Sequence, residues 1–355
     1  MTKRFASVLI DTYNHERFIE KAIGSVLEQD FPASEREIIV VDDGSTDRTP
    51  EIVKKFEPRV RLLRKENGGQ ASAFNAGVPE CRGGIIAFLD GDDWWAPGKL
   101  RRVSEVFAAE PAVGLVGHGI KEVFADGSVR VVAPEKDERL RLTSLAAARV
   151  FRLRKSYLGT SRMALRAELA RQILPIPDAL VIEADEYLFT LVAALSEIII
   201  LQEALTHYNI HGDNLYLAPG TGEKGLRRKQ QVMAALACSL RSMLPAKGVP
   251  ADATDCVVEA VQLEADQMRL MLDGGASWET FRTERKIYEM LHADAPRRHR
   301  LFRALSMFPA LLLPPRRYYA ARHWLASRRW YRRLRERALP VPEITRVAGP
   351  EEFKA

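Results

Sequence analysis

Short apolar segments alternate with amphipathic segments along roughly the first 120 residues of the chain. The apolar runs predict β-strands at residues 7–10, 38–41, 60–63 and 85–89. Between these strands, apolar residues recur at helical spacing, and Thr49-Pro50 is a typical helix start. Further helices are predicted at residues 70–76 and after Pro97. This alternation is typical of βαβ units, so we expect an open, largely parallel sheet with helices on both faces.

The pattern changes in the second half of the chain, where helical spacing continues without strand signals after about Gly222. We therefore expect a sheet domain at residues 1–221, followed by an α-helical region at residues 222–355. The longest apolar stretches are interrupted by Glu197 or by Pro314 and Pro315. They are too short for a membrane-spanning helix.

The composition, with 46% hydrophobic and 28% charged residues among 355, is that of a globular chain and excludes a disordered one. The three cysteines, Cys81, Cys238 and Cys256, show no C-x-x-C spacing. Neither a disulfide framework nor a cysteine zinc site is expected, and the reducing cytoplasm fits this usage. The first residues have too short an apolar run for a signal peptide and predict a strand instead.

The formal net charge of +6 is unevenly distributed. Residues 297–337 contain 13 of the 53 basic residues and a single acid, Glu336, which leaves 40 basic and 46 acidic residues elsewhere. Aromatic and aliphatic residues lie among these arginines, including Phe302, Leu305, Phe308, Leu311, Tyr318, Trp324, Trp330 and Tyr331. This mixture suits an interfacial helix on an anionic membrane, with a solvated helix face or an oligomer contact as the alternatives.

Carboxylates follow three of the predicted strands, which end in Asp11-Thr12-Tyr13-Asn14, Asp42-Asp43-Gly44-Ser45 and Asp90-Gly91-Asp92-Asp93. The carboxyl ends of parallel strands meet at one edge of a sheet, and ligands bind there. Because clustered carboxylates repel one another, the arrangement indicates a site for a cation. The glycines fit neither a dinucleotide fingerprint nor a P-loop.

Six segments resemble glycosyltransferase family 2, whose members have the GT-A fold. They are SVLIDTYNHERFIEKAIGSVLEQDFP, IIVVDDGSTDRT, ENGGQASAFNAG, FLDGDDWWAPGKL, ADEYLFTL and HYNIHGDN, in the order of the family and over roughly residues 5–215. The resemblance implies transfer of a sugar from a nucleotide donor, usually with inversion, assisted by Mn²⁺ or Mg²⁺. Asp11 and Phe74 differ from the residues that many members have at these positions.

The resemblance also implies roles for single residues at the donor. Asp92 would be the direct metal ligand, and Asp90 would lie nearer the ribose or a metal-bound water. Tyr13 would stack on the base, and Asp43 would accept a hydrogen bond from a pyrimidine N–H, so that UDP is the expected nucleotide.

Four further residues, Asp11, Asn67, Gly68 and Gly91, are expected to contact the donor by the same resemblance. His211 is expected near the diphosphate, where an imidazole could reach the metal or a phosphate oxygen. Arg162 is a further candidate for facing the diphosphate. Structural roles are expected for His118 and His207 and packing roles for Trp94 and Trp95.

An inverting transfer needs a general base, because a sugar hydroxyl is a poor nucleophile until its proton is removed. The candidates are Asp185 and Glu186 in VIEADEYLFTL, at the start of a predicted helix. Asp185 is favoured because Ala-Asp followed by Leu188 resembles the base motif of the family. An acid that stabilises the helix N-terminus is the alternative for either residue.

Two other functions fit parts of the sequence. Asp90-x-Asp92 after an apolar strand also occurs in Asp-dependent phosphotransferases and phosphatases, but Trp94 stands where these enzymes have Thr or Val. The basic tail suits a nucleic-acid-binding protein, whose affinity would fall steeply with salt and would not depend on Asp92. The glycosyltransferase hypothesis accounts for the acidic strand ends, and it predicts a glycan or a lipid-linked molecule of the cell envelope as the acceptor.

Overall fold

The structure is a computed structural model that describes residues 5–211, 222–292, 296–328 and 344–348. The strands are β1 (Ala6–Thr12), β2 (Arg36–Asp42), β3 (Arg61–Arg64), β4 (Ile85–Asp90), β5 (Trp94–Trp95), β6 (Val113–Phe124), β7 (Val129–Ala133), β8 (Glu138–Leu140), β9 (Ala164–Arg166), β10 (Glu197–Ile210) and β11 (Ile344–Ala348).

The helices that accompany the sheet are α1 (Ile19–Leu27), α2 (Thr49–Lys54), α3 (Gln70–Gly77), α4 (Lys99–Ala109), α5 (Leu145–Arg154), α6 (Ala167–Ile173) and α7 (Ala184–Leu195). The helices of the C-terminal region are α8 (Gly222–Ala246), α9 (Ala251–Asp273), α10 (Ser277–Leu291), α11 (Arg297–Met307), α12 (Pro309–Leu312) and α13 (Pro315–Ser327).

The strands form one mixed sheet with the order β11-β7-β6-β9-β4-β1-β2-β3. Its half from β4 to β3 is parallel, as the alternating pattern predicts. The short strand β9 runs antiparallel to both β4 and β6 and reverses the direction of the sheet between them. The long strand β10 pairs in parallel with β6 and also carries β5 and β8 antiparallel to it.

Both faces of the parallel half are covered, so its strands are apolar on both sides. Ile10, Val40 and Leu89 belong to the core cluster on one face, which includes residues of α1 and α4. On the other face, the core cluster contains Leu9 together with residues of α3, α6 and α7. Residues of α8 and α9 belong to this second cluster as well, so the two parts of the chain share a core. The predicted boundary at residues 221 and 222 touches residues outside those described and stays a prediction.

The remaining C-terminal helices pack around a small cluster of Leu270, Ala310, Tyr318 and Tyr319. Strand β11 corrects the expectation that no strand follows Gly222, because it pairs antiparallel with β7 at the sheet edge. Within the described residues, none of the helices combines the length and the apolar character needed to cross a bilayer. Trp330 and Tyr331 of the basic tail lie outside the described residues.

Candidate active site

The ends of β1 and β4 bring two carboxylates together at the centre of the sheet. The two strands are parallel neighbours, and Asp11 is paired with Asp90 in their register. The N–H of Gly91 then donates to the carbonyl oxygen of Asp11 at 2.9 Å, which turns the chain toward Asp92. A Cβ on Gly91 would lie 2.5 Å from Thr12 Oγ1, so this close approach requires glycine.

This acidic cluster is electrostatically unfavourable without a cation. Burial, followed by the charges of Asp92 and Asp185, raises the pKa of Asp11 to about 8. Burial and the neighbouring acids likewise hold the pKa of Asp90 well above its usual range. The buried atoms Asp11 Oδ1 and Asp93 Oδ2 have no hydrogen-bond partner among the described residues. A positive charge at this edge of the sheet would relieve the repulsion.

Asp92 and His211 form a pair beside this cluster. The Nε2 atom of His211 donates to Asp92 Oδ2 at 3.1 Å, and the His211 ring lies 4.5 Å from the ring of Phe18. Burial raises the pKa of Asp92, but the hydrogen bond from His211 and the charge of His15 outweigh it and lower the pKa below its ordinary value. The predicted metal ligands Asp92 and His211 are therefore neighbours, and Asp92 is held in its ionised form.

The carboxylate oxygens at this edge suit a hard divalent cation that also binds a phosphate ligand. Among the described residues, no group of three or more His, Cys, Asp or Glu side chains forms a metal cage. Mg²⁺ typically binds through one or two carboxylates, with substrate phosphates and waters completing its coordination. Asp90 and Asp92 can supply these carboxylates, and the buried oxygens Asp11 Oδ1 and Asp93 Oδ2 beside them lack a hydrogen-bond partner among the described residues.

Asp43 organises the loop that follows β3. Its carboxylate accepts the N–H groups of Gly68 at 3.0 Å and of Gly69 at 2.7 Å, and the ammonium of Lys65 at 2.7 Å. The side chain of Asn67 donates to the carbonyl oxygen of Asp43 at 2.9 Å. These hydrogen bonds occupy both carboxylate oxygens of Asp43. Asp43 therefore holds the turn at residues 67–69 in place.

An open cavity of about 610 Å³ lies next to this loop and is lined by Gly44, Arg64, Lys65, Glu66 and Asn67. Gly44 has a φ of +78°, and a Cβ there would lie 2.7 Å from the backbone nitrogen of Asn67. The side chain of Tyr13, near the end of β1, is 44% exposed, so it is not a core packing residue. An exposed ring can stack on a planar ligand.

Asp185 lies at the start of α7 and is held by a hydrogen-bond chain. Its Oδ2 accepts the backbone N–H of Thr160 at 3.0 Å and the Thr160 hydroxyl at 3.1 Å. Gln70 Nε2 donates to the same hydroxyl oxygen at 2.9 Å, while Gln70 Oε1 accepts the N–H of Ala184 at 3.0 Å. Burial raises the pKa of Asp185, which the Thr160 hydrogen bonds oppose and the charge of Glu186 reinforces.

The turn Thr160–Arg162 connects Asp185 with the acidic cluster. Directly after Thr160, the hydroxyl of Ser161 donates to Asp90 Oδ2 at 3.1 Å and accepts the N–H of Asp90 at 3.0 Å. Asp185 in turn raises the pKa of Asp90 by its charge. Thr160 and Ser161 are site residues that the sequence analysis missed, because they belong to a three-residue turn without a periodic or spacing signal.

Buried aromatic and basic residues support this turn. The carbonyl oxygen of Ser161 accepts hydrogen bonds from Lys99 Nζ at 2.6 Å and from Trp95 Nε1 at 3.2 Å. Lys99 is fully buried, and burial lowers its pKa well below the ordinary value. Trp94 stacks on His207 with ring centroids 5.3 Å apart. Both tryptophans thus pack beneath the loop.

His118 and Arg162 complete the surroundings of the turn. His118 is buried and donates from Nδ1 to the carbonyl oxygen of Gly119 at 2.8 Å. The guanidinium of Arg162 lies 5.6 Å from the ring centroid of Tyr208. Burial and the charge of Asp92 raise the pKa of Asp93 to about 8, and the charge of Arg162 is among the effects that oppose this rise. Arg162 is thus close to the acidic cluster, where it adds positive charge.

Glu186 has different surroundings from Asp185, although the two are adjacent in sequence. Its carboxylate forms ion pairs with Arg152 and, at 3.0 Å, with Lys155. These two cations also bind Glu264 of α9, at 2.7 Å and 2.8 Å. Despite burial, the charges of Lys155 and Arg152 lower the pKa of Glu186 to about 2. Glu186 is therefore part of an ion-pair cluster between α5, α7 and α9. This ion pairing argues against Glu186 as the general base.

Comparisons with known proteins agree with this geometry. The family model described as glycosyl transferase family 2 matches residues 7–172, a range that contains the strand-end acids and Thr160. The uncharacterized glycosyltransferase alr2836 of Nostoc sp. is 33% identical over 232 residues, which are 63% of this chain and 70% of that protein. EpsJ of Bacillus subtilis, also an uncharacterized glycosyltransferase, is 37% identical over 123 residues, 34% of this chain and 35% of that protein.

Among solved structures, residues 1–349 of S. aureus TarS in complex with UDP-GlcNAc align with a TM-score of 0.55 and 20% identity, and the alignment covers 81% of each chain. This likeness shows a shared GT-A fold. The family match, the Nostoc relative and the acids at the ends of the parallel strands together show that the chain belongs to glycosyl transferase family 2.

Proposed function

We propose that the protein transfers a sugar from a UDP-sugar to a hydroxyl of a glycan or lipid-linked acceptor, with inversion at the anomeric carbon. The main support for this proposal is the turn Thr160–Arg162. In this turn, Ser161 hydrogen-bonds to Asp90 and Thr160 hydrogen-bonds to Asp185. An acid suited to the donor phosphates and an acid suited to the acceptor hydroxyl are thus fixed on either side of a single turn.

The nucleotide would occupy the open cavity beside the loop at residues 67–69. The exposed Tyr13 is available to stack on a base. Lys65 and Arg64 line the cavity as ion pairs with Asp43 and Asp42. Asp43 could still accept an N–H of a uracil, since a carboxylate has about four lone-pair sites. The TarS structure contains UDP-GlcNAc, which supports UDP as the nucleotide here.

Asp92 and Asp90 would hold a divalent cation against the donor diphosphate, with His211 beside Asp92. The bound cation supplies charge neutralisation for the departing nucleoside diphosphate. Burial and then the charges of neighbouring acids raise the pKa of Asp90 and Asp11. These shifts support the assignment, because a bound cation would stabilise the ionised carboxylates. Arg162 adds a fixed positive charge on the same side.

Asp185 would act as the general base. It takes the proton of the acceptor hydroxyl as the acceptor oxygen forms its bond to the anomeric carbon, and the electron pair of the broken C–O bond leaves with the diphosphate. Thr160 engages Oδ2 and stabilises the ionised form that a base needs. Glu186 is an unsuitable base, since Arg152 and Lys155 hold both of its oxygens.

A thermal-shift panel of UDP-, GDP- and dTDP-sugars, with and without Mn²⁺, tests the donor assignment. We expect the largest shift with a UDP-sugar and Mn²⁺, together with release of UDP. Release of phosphate from simple phosphoesters without a sugar nucleotide would instead support the phosphotransferase alternative.

The base is tested by Asp185→Asn. Donor and metal binding should stay near normal, whereas transfer to the acceptor should fall by about a hundredfold or more, which is the usual contribution of a general base. Glu186→Gln is the matched control at the neighbouring position. Wild-type transfer by the Asp185→Asn enzyme would remove Asp185 from the mechanism.

A further inference from the structure

Exposed apolar residues of the described chain are concentrated on α11 and α12. Six of the ten exposed large hydrophobic residues lie between residues 301 and 324. Four of them follow one another at helical spacing and are 57–69% exposed: Leu301, Leu305, Phe308 and Leu312. Phe308 has helical backbone angles, φ −52° and ψ −42°, so the helical path continues from α11 into α12. These four residues therefore form one continuous apolar stripe.

The opposite side of the same helices is packed against the protein. His299, Met307 and Ala310 are buried, and Ala310 belongs to the small cluster with Leu270 of α9. Since α11 and α12 already bury one side, the apolar stripe is not needed for the core. Its exposure to water is unfavourable and calls for a partner.

Arginines accompany the apolar stripe. Residues 296–328 contain eight arginines and no Asp or Glu. Arg297, Arg298 and Arg300 are exposed in the first turn of α11, where positive charge opposes the helix dipole and lowers helix stability. These arginines therefore do not serve the stability of the helix, and they create a surface that is apolar along its middle and cationic at its end.

We propose that the apolar stripe and the arginines at the start of α11 form a docking surface for an anionic lipid bilayer. The helix lies in the plane of the interface, with the apolar stripe among the upper acyl chains and the arginines at the lipid phosphates. The inference rests on the proposed function only in that a lipid-linked acceptor would be met at this surface, since bilayer binding itself requires no catalysis.

Other occupants match this surface less well. The chain segment that follows Arg328 carries five more arginines and one acid between residues 329 and 337, so it would bring like charge to the surface. A second copy of the chain that docked through the same surface would also bring like charge to it. A nucleic acid would neutralise the arginines but leave the apolar stripe in water. An anionic bilayer complements both the charge and the apolar residues.

Vesicle flotation of the full-length protein tests this inference. The vesicles contain phosphatidylcholine alone or phosphatidylcholine with phosphatidylglycerol. The test variant combines Leu305→Ser, Phe308→Ser and Leu312→Ser, all at exposed positions, so that the fold is retained. Trp278→Ser is the matched control, because Trp278 is 55% exposed on α10 and lies outside the apolar stripe.

We expect binding to the anionic vesicles and little to the neutral ones. The triple variant should partition about a hundredfold more weakly, because three apolar side chains no longer enter the bilayer, and Trp278→Ser should bind like the wild type. Equal binding of the triple variant and the wild type would overturn the proposal. Tighter binding to duplex DNA than to vesicles, or a dimer that the triple variant loses, would also overturn it.

Hydrolysis of a UDP-sugar in solution is measured for every variant in parallel. It should be unchanged in the triple variant, because the apolar stripe contains no residue of the proposed donor or base sites. Loss of vesicle binding with intact hydrolysis therefore supports the docking surface, whereas absent hydrolysis in all proteins would count against the proposed function and leave the result on lipid binding valid.

Discussion

Glu186→Gln tests whether the acid next to the proposed base has a structural role. The substitution keeps the shape of the side chain and removes one negative charge from the cluster of Arg152, Lys155, Glu186 and Glu264. The side chains of Arg152 and Glu186 are only 1% and 3% exposed, so solvent cannot replace the lost charge. We therefore expect a large loss of stability and a small effect on the rate of transfer by the folded enzyme.

The magnitude follows from the charge balance of the cluster. Two cations and two anions cancel in the wild type, and the variant leaves a net positive charge. The pKa of Glu186 falls from an ordinary 4.5 to about 2 in the fold, and at 1.36 kcal/mol per unit this corresponds to about 3 kcal/mol. Removal of one partner from a buried ion pair typically costs about 3–5 kcal/mol. We expect the free energy of unfolding at pH 7 to fall by about 3 kcal/mol.

Urea denaturation followed by circular dichroism measures this change. Glu264→Gln should destabilise less, because the Glu264 side chain is 32% exposed. The matched control is Glu289→Gln, whose pair with Arg285 joins side chains that are 58% and 59% exposed and should contribute little. If Glu186→Gln instead leaves stability unchanged and abolishes transfer, Glu186 is the base and the reasoning is refuted.

The same cluster predicts a pH dependence with a definite sign. The pKa of Glu186 is lower in the folded protein than its ordinary 4.5, so its contribution is fully present above pH 4.5 and is lost as the pH falls toward 2. The difference in stability between the wild type and Glu186→Gln should therefore shrink across this interval. A difference that stays constant between pH 5 and pH 2, roughly the window of this titration, would contradict the assigned pKa shift.

Two further substitutions test the donor side and the support of the base. Asp92→Asn should abolish metal-dependent turnover of the donor while the fold persists, because Asn keeps the size of the side chain and an oxygen that can accept from His211. Donor hydrolysis at the wild-type rate with metal would contradict this. Thr160→Val removes the hydroxyl that donates to Asp185, so kcat for transfer should fall about tenfold while the donor KM stays unchanged. This follows because a hydrogen bond to a charged group contributes roughly 1.5–3 kcal/mol. Thr160→Ser keeps the hydroxyl and should restore the rate.

The parallel half of the sheet could be predicted from the sequence because its strands carry local signals. Strands β1 to β4 each contain consecutive apolar residues and are bounded by polar turns, and the predicted cores of these strands fall within or next to the observed ones. Strand β9 has only three residues and exists through its pairing with β4 and β6. Such a strand depends on distant partners, and no local pattern indicates it.

The acidic edge of the site could also be predicted, since strand ends place Asp11 and Asp90 side by side once β1 and β4 are neighbours. The residues that hold these acids in place could not be predicted. Thr160, Ser161 and Gln70 act through contacts between residues 25 to 114 positions apart in sequence. Single-sequence patterns contain no information on such pairings, and the polar residues of a turn look alike whether or not they contact a catalytic side chain.

The choice between Asp185 and Glu186 shows the same limit within one helix. Both acids suit a helix N-terminus, but successive residues on an α-helix point about 100° apart, so only one can face the acidic cluster. Asp185 accepts a hydrogen bond from Thr160. Glu186 forms ion pairs with Arg152 and Lys155, which also bind Glu264 of α9. The ionised Glu186 raises the pKa of Asp185, while Thr160 opposes this effect. Helix α9 thus contacts the surroundings of the residue next to the proposed base through Glu264, and this ion-pair cluster connects the C-terminal helices to the edge of the sheet where the proposed base lies.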